Sequence, residues 1–298
     1  MKNKRSMKPI LLSALALLLA AGAAFTAREI YLDRSQRTAA AELLRYRGQY
    51  AENSLILRDT SRGEAEKLAK RFGAELRTSF DENFMVLTLP ESTSVEKLFS
   101  DNANRAALSK LSLDLYSNIL EEDIEETEES EETLVRGSTV SVSDEGFGRQ
   151  TYFPYLNFGN TWNVTKGKNV TVAVIDTGID TDHPEFEGKI SEYSYNATYD
   201  IRVTDTVSES GEYDWSPIED VRGHGTCVAG VISASMNGEG IVGVAPETEL
   251  LVIKCEADEK GRFRSSDLIF AVYYAIERDV DVINMSFGSP GEDHAFSE

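Results

Sequence analysis

The stretch Val172-Ala-Val-Ile-Asp-Thr-Gly-Ile-Asp180 decides how this chain is read. It continues a run from Val170 that is apolar to Ile175 except at Thr171, and such a run predicts a strand covered on both faces, as in a parallel sheet flanked by helices. Asp176 closes the run, and Thr177-Gly178 supplies a sharp turn that keeps its carboxylate at the sheet edge. In open α/β sheets the crevice beyond the carboxyl ends of the strands is where ligands bind. Asp176 is therefore expected in a site.

Downstream, Gly223-His-Gly-Thr-Cys-Val-Ala-Gly230 predicts a helix of small residues that starts at His224, where backbone N–H groups are unpaired. A carboxylate that fixes a histidine tautomer and stabilises the imidazolium is what a general base needs to activate a hydroxyl nucleophile. Leu250 to Lys254 and Val280 to Met285 read as further buried strands, with a helix over Asp267 to Glu277 between them. Strands alternating with helices predict an α/β fold with a parallel sheet and right-handed crossovers.

Upstream the pattern is different. Thr38 to Tyr50 predicts a short helix, Ser54 to Arg58 a strand and Gly63 to Phe72 an amphipathic helix. Ala74 to Ser79 and Phe84 to Leu89 pair as a hairpin, and Ser94 to Ala103 is a second helix. This β-α-β-β-α order over residues 50–116 predicts a small α+β, ferredoxin-like domain. Residues 117–150 form an acidic linker: nine carboxylates between Glu121 and Glu132 repel one another and have little to bury. The α/β domain then occupies residues 151–298.

Lys2, Lys4, Arg5 and Lys8 precede an apolar stretch from Pro9 to Ala27, with small residues at Ala21-Gly22-Ala23. Residues 1–27 are expected to be an export signal or an uncleaved membrane anchor, which places the rest of the chain outside the cytoplasm, secreted or tethered to the outer face of the membrane. The formal net charge is −21 over 298 residues, and 28 of the 51 carboxylates fall in residues 138–298 against 11 of the 30 basic side chains. That balance argues against nucleic acid as a partner and is compatible with cations, basic peptides or simply a soluble surface. Two cysteines, Cys227 and Cys255, do not make a disulfide scaffold, and both are expected as buried free thiols.

With Asp176 and His224 in this order and after these elements, residues from about Thr161 to Gly288 resemble the front half of a subtilisin-like serine protease of the peptidase S8 family. Thr161-Trp162, Lys166-Gly-Lys168, Asp182-His183-Pro184, Ile241-Val-Gly-Val-Ala-Pro246 and Asp281-Val-Ile-Asn-Met-Ser-Phe-Gly288 extend the resemblance. It implies hydrolysis of peptide bonds by Asp-His-Ser acyl-enzyme chemistry, with Asp176 orienting His224 as base and then acid. It also implies that Ser286, Phe287 and Gly288 pair with the backbone of a polypeptide substrate, and that residues 50–116 resemble the family's inhibitory propeptide, an intramolecular partner. No cofactor is implied for the chemistry; a structural calcium ion is, with Glu185 and Asn237 as its side-chain ligands.

The nucleophile is the departure. The family carries it in a Gly-Thr-Ser motif, which these 298 residues do not contain, and none of the serines from Ser233 to Ser297 has that context. The chain reads as C-terminally incomplete and inactive alone. A binding-only protein is one alternative. An aspartic-type protease is another, since Asp176-Thr-Gly follows an apolar strand, but that chemistry needs a second such carboxylate. Two further readings concern ions. The loop from Tyr195 to Asp220 carries seven carboxylates, as a solvated excursion, a hard-cation site or a lip for basic residues. Asp180, Asp182 and His183 form either a metal site or, more simply, a turn before Pro184. His294 shows no partner in the sequence.

Overall fold

Helix α1 covers residues 35–45 of the computed structural model, which describes residues 35–119, 141–156 and 158–288. The export segment 1–27, the acidic run Glu121–Glu132 and His294 lie outside the described residues. Contacts divide the chain into two units: one holds the residues up to Thr78 and Glu82–Asp114, the other Ser79–Asp81 and the residues from Leu115 onward.

In the first unit β1 (Tyr50–Leu57), α2 (Arg62–Phe72), β2 (Glu75–Thr78), β3 (Met85–Thr88), α3 (Val95–Ser100) and the start of β4 (Leu111–Ile119) follow in order. The sheet order is β4-β1-β3-β2. Local chemistry sets the boundaries. Ser61 and Glu64 form a capping box at the start of α2, and Gly73, at φ 63°, ends it in the left-handed region. β2 and β3 pair antiparallel from Glu75↔Thr88 to Thr78↔Met85, so the hairpin reading holds. Three expectations are corrected. Tyr50 opens β1 rather than closing α1. The second helix stops at Ser100, because the Asp101 carboxylate accepts the Ala103 N–H at 2.8 Å and starts a 3-10 turn instead. And Leu111–Ile119 adds a strand the sequence reading lacked. The unit is held by Leu55, Ala65, Leu87 and Val95, all buried, and by a buried hydrogen bond from the Ser54 hydroxyl to Asp114 at 2.6 Å.

The second unit opens with the short helices α4 (Phe153–Leu156) and α5 (Phe158–Trp162). There follow β5 (Thr171–Asp176), β6 (Tyr195–Asn196), β7 (Ile201–Arg202), α6 (His224–Ser233), β8 (Glu249–Lys254), β9 (Arg262–Arg264), α7 (Ser265–Glu277), β10 (Val282–Met285) and β11 (Phe287–Gly288). The sheet order is β10-β5-β8-β6-β7. β10, β5, β8 and β6 are mutually parallel where they pair, while β7 runs antiparallel to β6, so the sheet is mixed rather than purely parallel.

The apolar run has the expected cause. Ala173 and Ile175, with Leu251 and Ile253, face Leu268, Ala271 and Tyr274 of α7. Val172 and Val174, with Leu250 and Val252, face the other way, toward Ala229 of α6 and toward Ile179 and Ile218. Each fully buried Val, Leu or Ile contributes about 1.5–3 kcal/mol of transfer free energy, so both faces of β5 commit it to the middle of the sheet. The carboxyl ends of β5, β8 and β10 then form one edge.

Candidate active site

Asp176 is the last residue of β5 and pairs in register with Lys254 of β8. Its Oδ1 accepts the Thr177 N–H at 2.7 Å, and the Thr177 hydroxyl in turn accepts the Gly225 N–H at 2.9 Å. This ties the strand end to the first turn of α6. The approach needs two glycines. Gly178 has φ 119°, and a Cβ there would meet the Ile218 carbonyl at 2.4 Å; a Cβ on Gly225 would meet the Gly178 carbonyl at 2.2 Å.

His224 opens α6, and its Nδ1 lies 2.7 Å from Asp176 Oδ1. Asp176 is 1% exposed on its side chain and His224 27%. Burial pushes the Asp176 carboxyl above its ordinary range, while the hydrogen bonds from His224 and from the Thr177 N–H work the other way. With Nδ1 committed to the carboxylate, Nε2 is the nitrogen left to take a proton. Asp220, expected only as one of the loop carboxylates, fixes the start of α6. Its Oδ1 accepts the N–H groups of Arg222 and Gly223, each at 2.9 Å, and its Oδ2 accepts the N–H and hydroxyl of Thr226 at 2.9 and 2.8 Å. Burial opposes the charged form of Asp220, yet these donors hold its carboxyl below the usual range. Its signal was legible: an acidic residue just ahead of a predicted helix start.

The predicted substrate-binding residues lie at the same edge. Met285 pairs with Ile175, so Ser286 follows at the level of Asp176, and its hydroxyl accepts from the Asn284 side-chain amide at 2.9 Å. Phe287 and Gly288 pair antiparallel with Ile119 and Asn118. On the opposite side, β9 pairs antiparallel with the same segment: Tyr116↔Arg264, Ser117↔Phe263 and Asn118↔Arg262. Leu115–Ile119 is thus the middle strand of three, inserted between β9 and β11. The expected domain end at Tyr116 falls inside this strand, and neither β9 nor the insertion is expected from the sequence. Next to it lies a cavity of about 500 Å³ lined by Tyr199, Val221, Arg222, Lys254, Glu256 and Asp258 among others. Arg222 crosses it to the Glu256 carboxylate and the Glu259 carbonyl.

The remaining predicted groups serve as structure. Glu185 and Asn237 do come together, at 3.4 Å, but through a hydrogen bond from the Asn237 amide. Glu185 also accepts the N–H groups of Ser235 at 3.0 Å and Ile241 at 3.2 Å, so both of its oxygens face donors. A loop closed on a carboxylate by N–H groups does not present converging oxygens to calcium, and the arrangement does not fit that ion. His183 accepts the Glu185 N–H on Nδ1 at 3.3 Å and caps a single 3-10 turn, in line with the turn reading. The 195–220 carboxylates are dispersed: Asp200 accepts from the Tyr195 hydroxyl, Asp205 pairs with Arg202, Asp214 caps Ser216, and Glu219 accepts from Thr181. Among the described residues no group of three or more His, Cys, Asp or Glu side chains could hold a metal ion. Cys255 is buried as expected, but Cys227 is exposed, because it falls on the face of α6 away from Ala229 and the sheet.

Residues 167–297 match the model of the subtilase family. The chain is 44% identical over 129 residues to an intracellular serine protease of Paenibacillus polymyxa, and 42% identical over 127 residues to the major intracellular serine protease of Bacillus subtilis. In each case the match covers 43% of this chain and 36% of the relative, so the chain spans about a third of the relatives' length. Among solved structures it is similar to fervidolysin of Fervidobacterium pennivorans, a keratinolytic enzyme related to subtilisin, with a TM-score of 0.63, 22% identity and coverage of 84% of this chain and 37% of that one. That likeness shows a shared fold. Among the described residues no helix is long and apolar enough to cross a membrane.

Proposed function

We propose that this chain, whose residues 167–297 match the subtilase family, carries the base and the substrate strand of an exported serine endopeptidase precursor. The observation that carries the reading is the 2.7 Å contact between His224 Nδ1 and a buried Asp176 carboxylate, at a strand edge that already holds an extended peptide segment. Asp176 fixes the tautomer in which His224 Nε2 accepts the proton of a seryl hydroxyl, returns it to the leaving amine, and stabilises the imidazolium between the two steps. The seryl group is not identified among these 298 residues. The chain alone therefore binds polypeptide without cleaving it.

Phe287 and Gly288 on one side and β9 on the other supply backbone partners to an extended substrate, a mode that takes affinity from the main chain. Leu115–Ile119 occupies that position in the chain itself, which supports reading the N-terminal unit as an intramolecular inhibitor. Export rests on the basic and apolar residues 2–27, and recovery of the mature protein in the cytoplasmic fraction would reject it.

The test uses a fluorophosphonate probe. The 298-residue chain is expected to remain unlabelled. The longest product of the gene is expected to hydrolyse peptide bonds, to be blocked by the probe and to lose activity on His224→Ala. Labelling of the 298-residue chain would overturn its assignment as lacking an activated serine. Inhibition by pepstatin instead of the fluorophosphonate would favour the aspartic-type reading.

A further inference from the structure

Arg262 stands at one wall of the groove that holds Leu115–Ile119, and its guanidinium lies over the ring of Tyr116 with Cζ 3.7 Å from the centroid. The guanidinium is held from behind. Asp258 Oδ2 accepts from Arg262 Nε at 2.8 Å and from Nη2 at 2.6 Å. Asp258 is itself fixed by the Lys260 N–H on Oδ1 at 2.9 Å, within a tight turn closed by Gly261 at φ 71°. A fork-bound guanidinium has its edge satisfied and its planar face free to stack, and that face is weakly hydrated, so covering it with an aromatic ring costs little.

The register explains why this residue meets this ring. Asn118 is opposite Arg262 and Tyr116 is opposite Arg264, so Tyr116 and Arg262 are diagonal neighbours on one face, a separation that an aromatic and a long side chain can span. Leu115 and Ser117, on the other face, are buried, and the Ser265 hydroxyl donates to the Leu115 carbonyl at 3.1 Å. The main-chain ladder fixes where the segment sits. The outward residue of the segment is the one whose chemistry the groove can test.

We propose that Arg262, oriented by Asp258, is a specificity-determining residue that selects an aromatic side chain in extended peptides bound between β9 and β11, with Tyr116 as its built-in ligand. This rests on the reading of that groove as a peptide site. Polypeptides carrying Tyr, Phe or Trp at this position bind preferentially; those with Leu or Ala there lose the stacking contact and keep the backbone pairing.

The test is hydrogen exchange by mass spectrometry on the intact 298-residue chain, following the amides of residues 113–119, whose exchange reports opening of the segment. Tyr116→Phe is expected to stay within about twofold of the parent, whereas Tyr116→Leu and Arg262→Gln each exchange about fivefold faster, as cation–π contacts of this kind allow. The double variant is expected to be no faster than either single one, with protection of β5 and β8 unchanged. Fluorinated phenylalanines at position 116 bypass any folding defect of Arg262→Gln, and exchange is expected to quicken with each fluorine that weakens the ring quadrupole. Additive single effects, equal exchange in Phe and Leu variants, or indifference to fluorination would overturn the proposal. An unprotected segment in the unmodified chain would instead overturn the groove reading, and fluorophosphonate labelling bears on neither outcome.

Discussion

Asp176 gives one oxygen to His224 at 2.7 Å while its other oxygen, Oδ2, is buried with no hydrogen-bond partner among the described residues. A buried acceptor left unsatisfied costs stability, and sites that hold one do so for their chemistry. Asp176→Asn is therefore expected to stabilise the fold at neutral pH by about 1 kcal/mol, or roughly 2–4 °C in Tm for a chain of this size. The sign follows from burial raising the carboxyl: protonated Asp176 favours the folded state, and that benefit is lost as pH rises through its raised folded value. The advantage of the Asn variant should thus be largest at neutral pH and shrink in acid. Melts from pH 3 to 8 decide it, and a variant less stable than the parent at pH 7 would refute it.

Gly225 and Gly230 lie on the same helix and predict opposite outcomes. A Cβ on Gly225 meets the Gly178 carbonyl at 2.2 Å, so Gly225→Ala must push α6 off the strand end, at about 2–3 kcal/mol. A Cβ on Gly230 finds Ile241 Cδ1 at 3.6 Å, an ordinary contact, and Gly230→Ala should gain about 0.5–1 kcal/mol in helix propensity. Urea unfolding of the two variants side by side measures the difference.

Asp220 makes the start of α6 sensitive to acid. Its carboxyl is held below the ordinary range, so its contribution is present above the unfolded value and is lost as pH falls through the folded one. Asp220→Ala is expected to cost about 1–2 kcal/mol at pH 7, as for loss of a helix cap, and much less near pH 2. Amide exchange at Gly223 and Thr226, whose N–H groups it accepts, should quicken in the variant before the rest of the helix does.

Lys189 carries a pH dependence of the same sign in the alkaline range, but from an ionised form that the fold disfavours. Burial lowers its ammonium to about 8, although Nζ donates to the Ser233 carbonyl at 2.6 Å and to the Pro246 carbonyl. A lowered folded value means that folding becomes more favourable as pH rises from about 8 toward the ordinary lysine value, by a few kcal/mol at most. Lys189→Met should flatten that slope. A stability–pH curve with the same slope in both proteins would rule it out.

The sheet centre and the paired site residues were legible because β5, β8, α6 and α7 are each long enough for periodicity to speak, and because glycines flank His224 where backbone must approach. The rest was not, for identifiable reasons. β6, β7, β9 and β11 are only two or three residues long, too short for any repeat to register. The placement of Leu115–Ile119 depends on partners more than 140 residues away, at Arg262–Arg264 and Phe287–Gly288, and no local signal encodes them. Composition also misled: the 195–220 carboxylates looked like a cluster along the chain, yet the fold spends them one by one on separate donors. Cys227 sits in an apolar run, but a helix turns one side of such a run outward.

The strand held between β9 and β11 is covalently part of the chain that holds it. Its binding is therefore unimolecular, and dilution cannot dissociate it. A tethered segment of this kind presents itself at an effective concentration on the order of 1 mM. With an intrinsic Kd of about 1 µM for the tethered segment itself, any free peptide would then show an apparent Kd roughly a thousandfold weaker. Screening ligands against the intact chain thus ranks them by how well they outcompete Leu115–Ile119, and cutting the chain on the C-terminal side of Ile119 would change the apparent affinity of each of them by a similar factor without altering a contact in the groove.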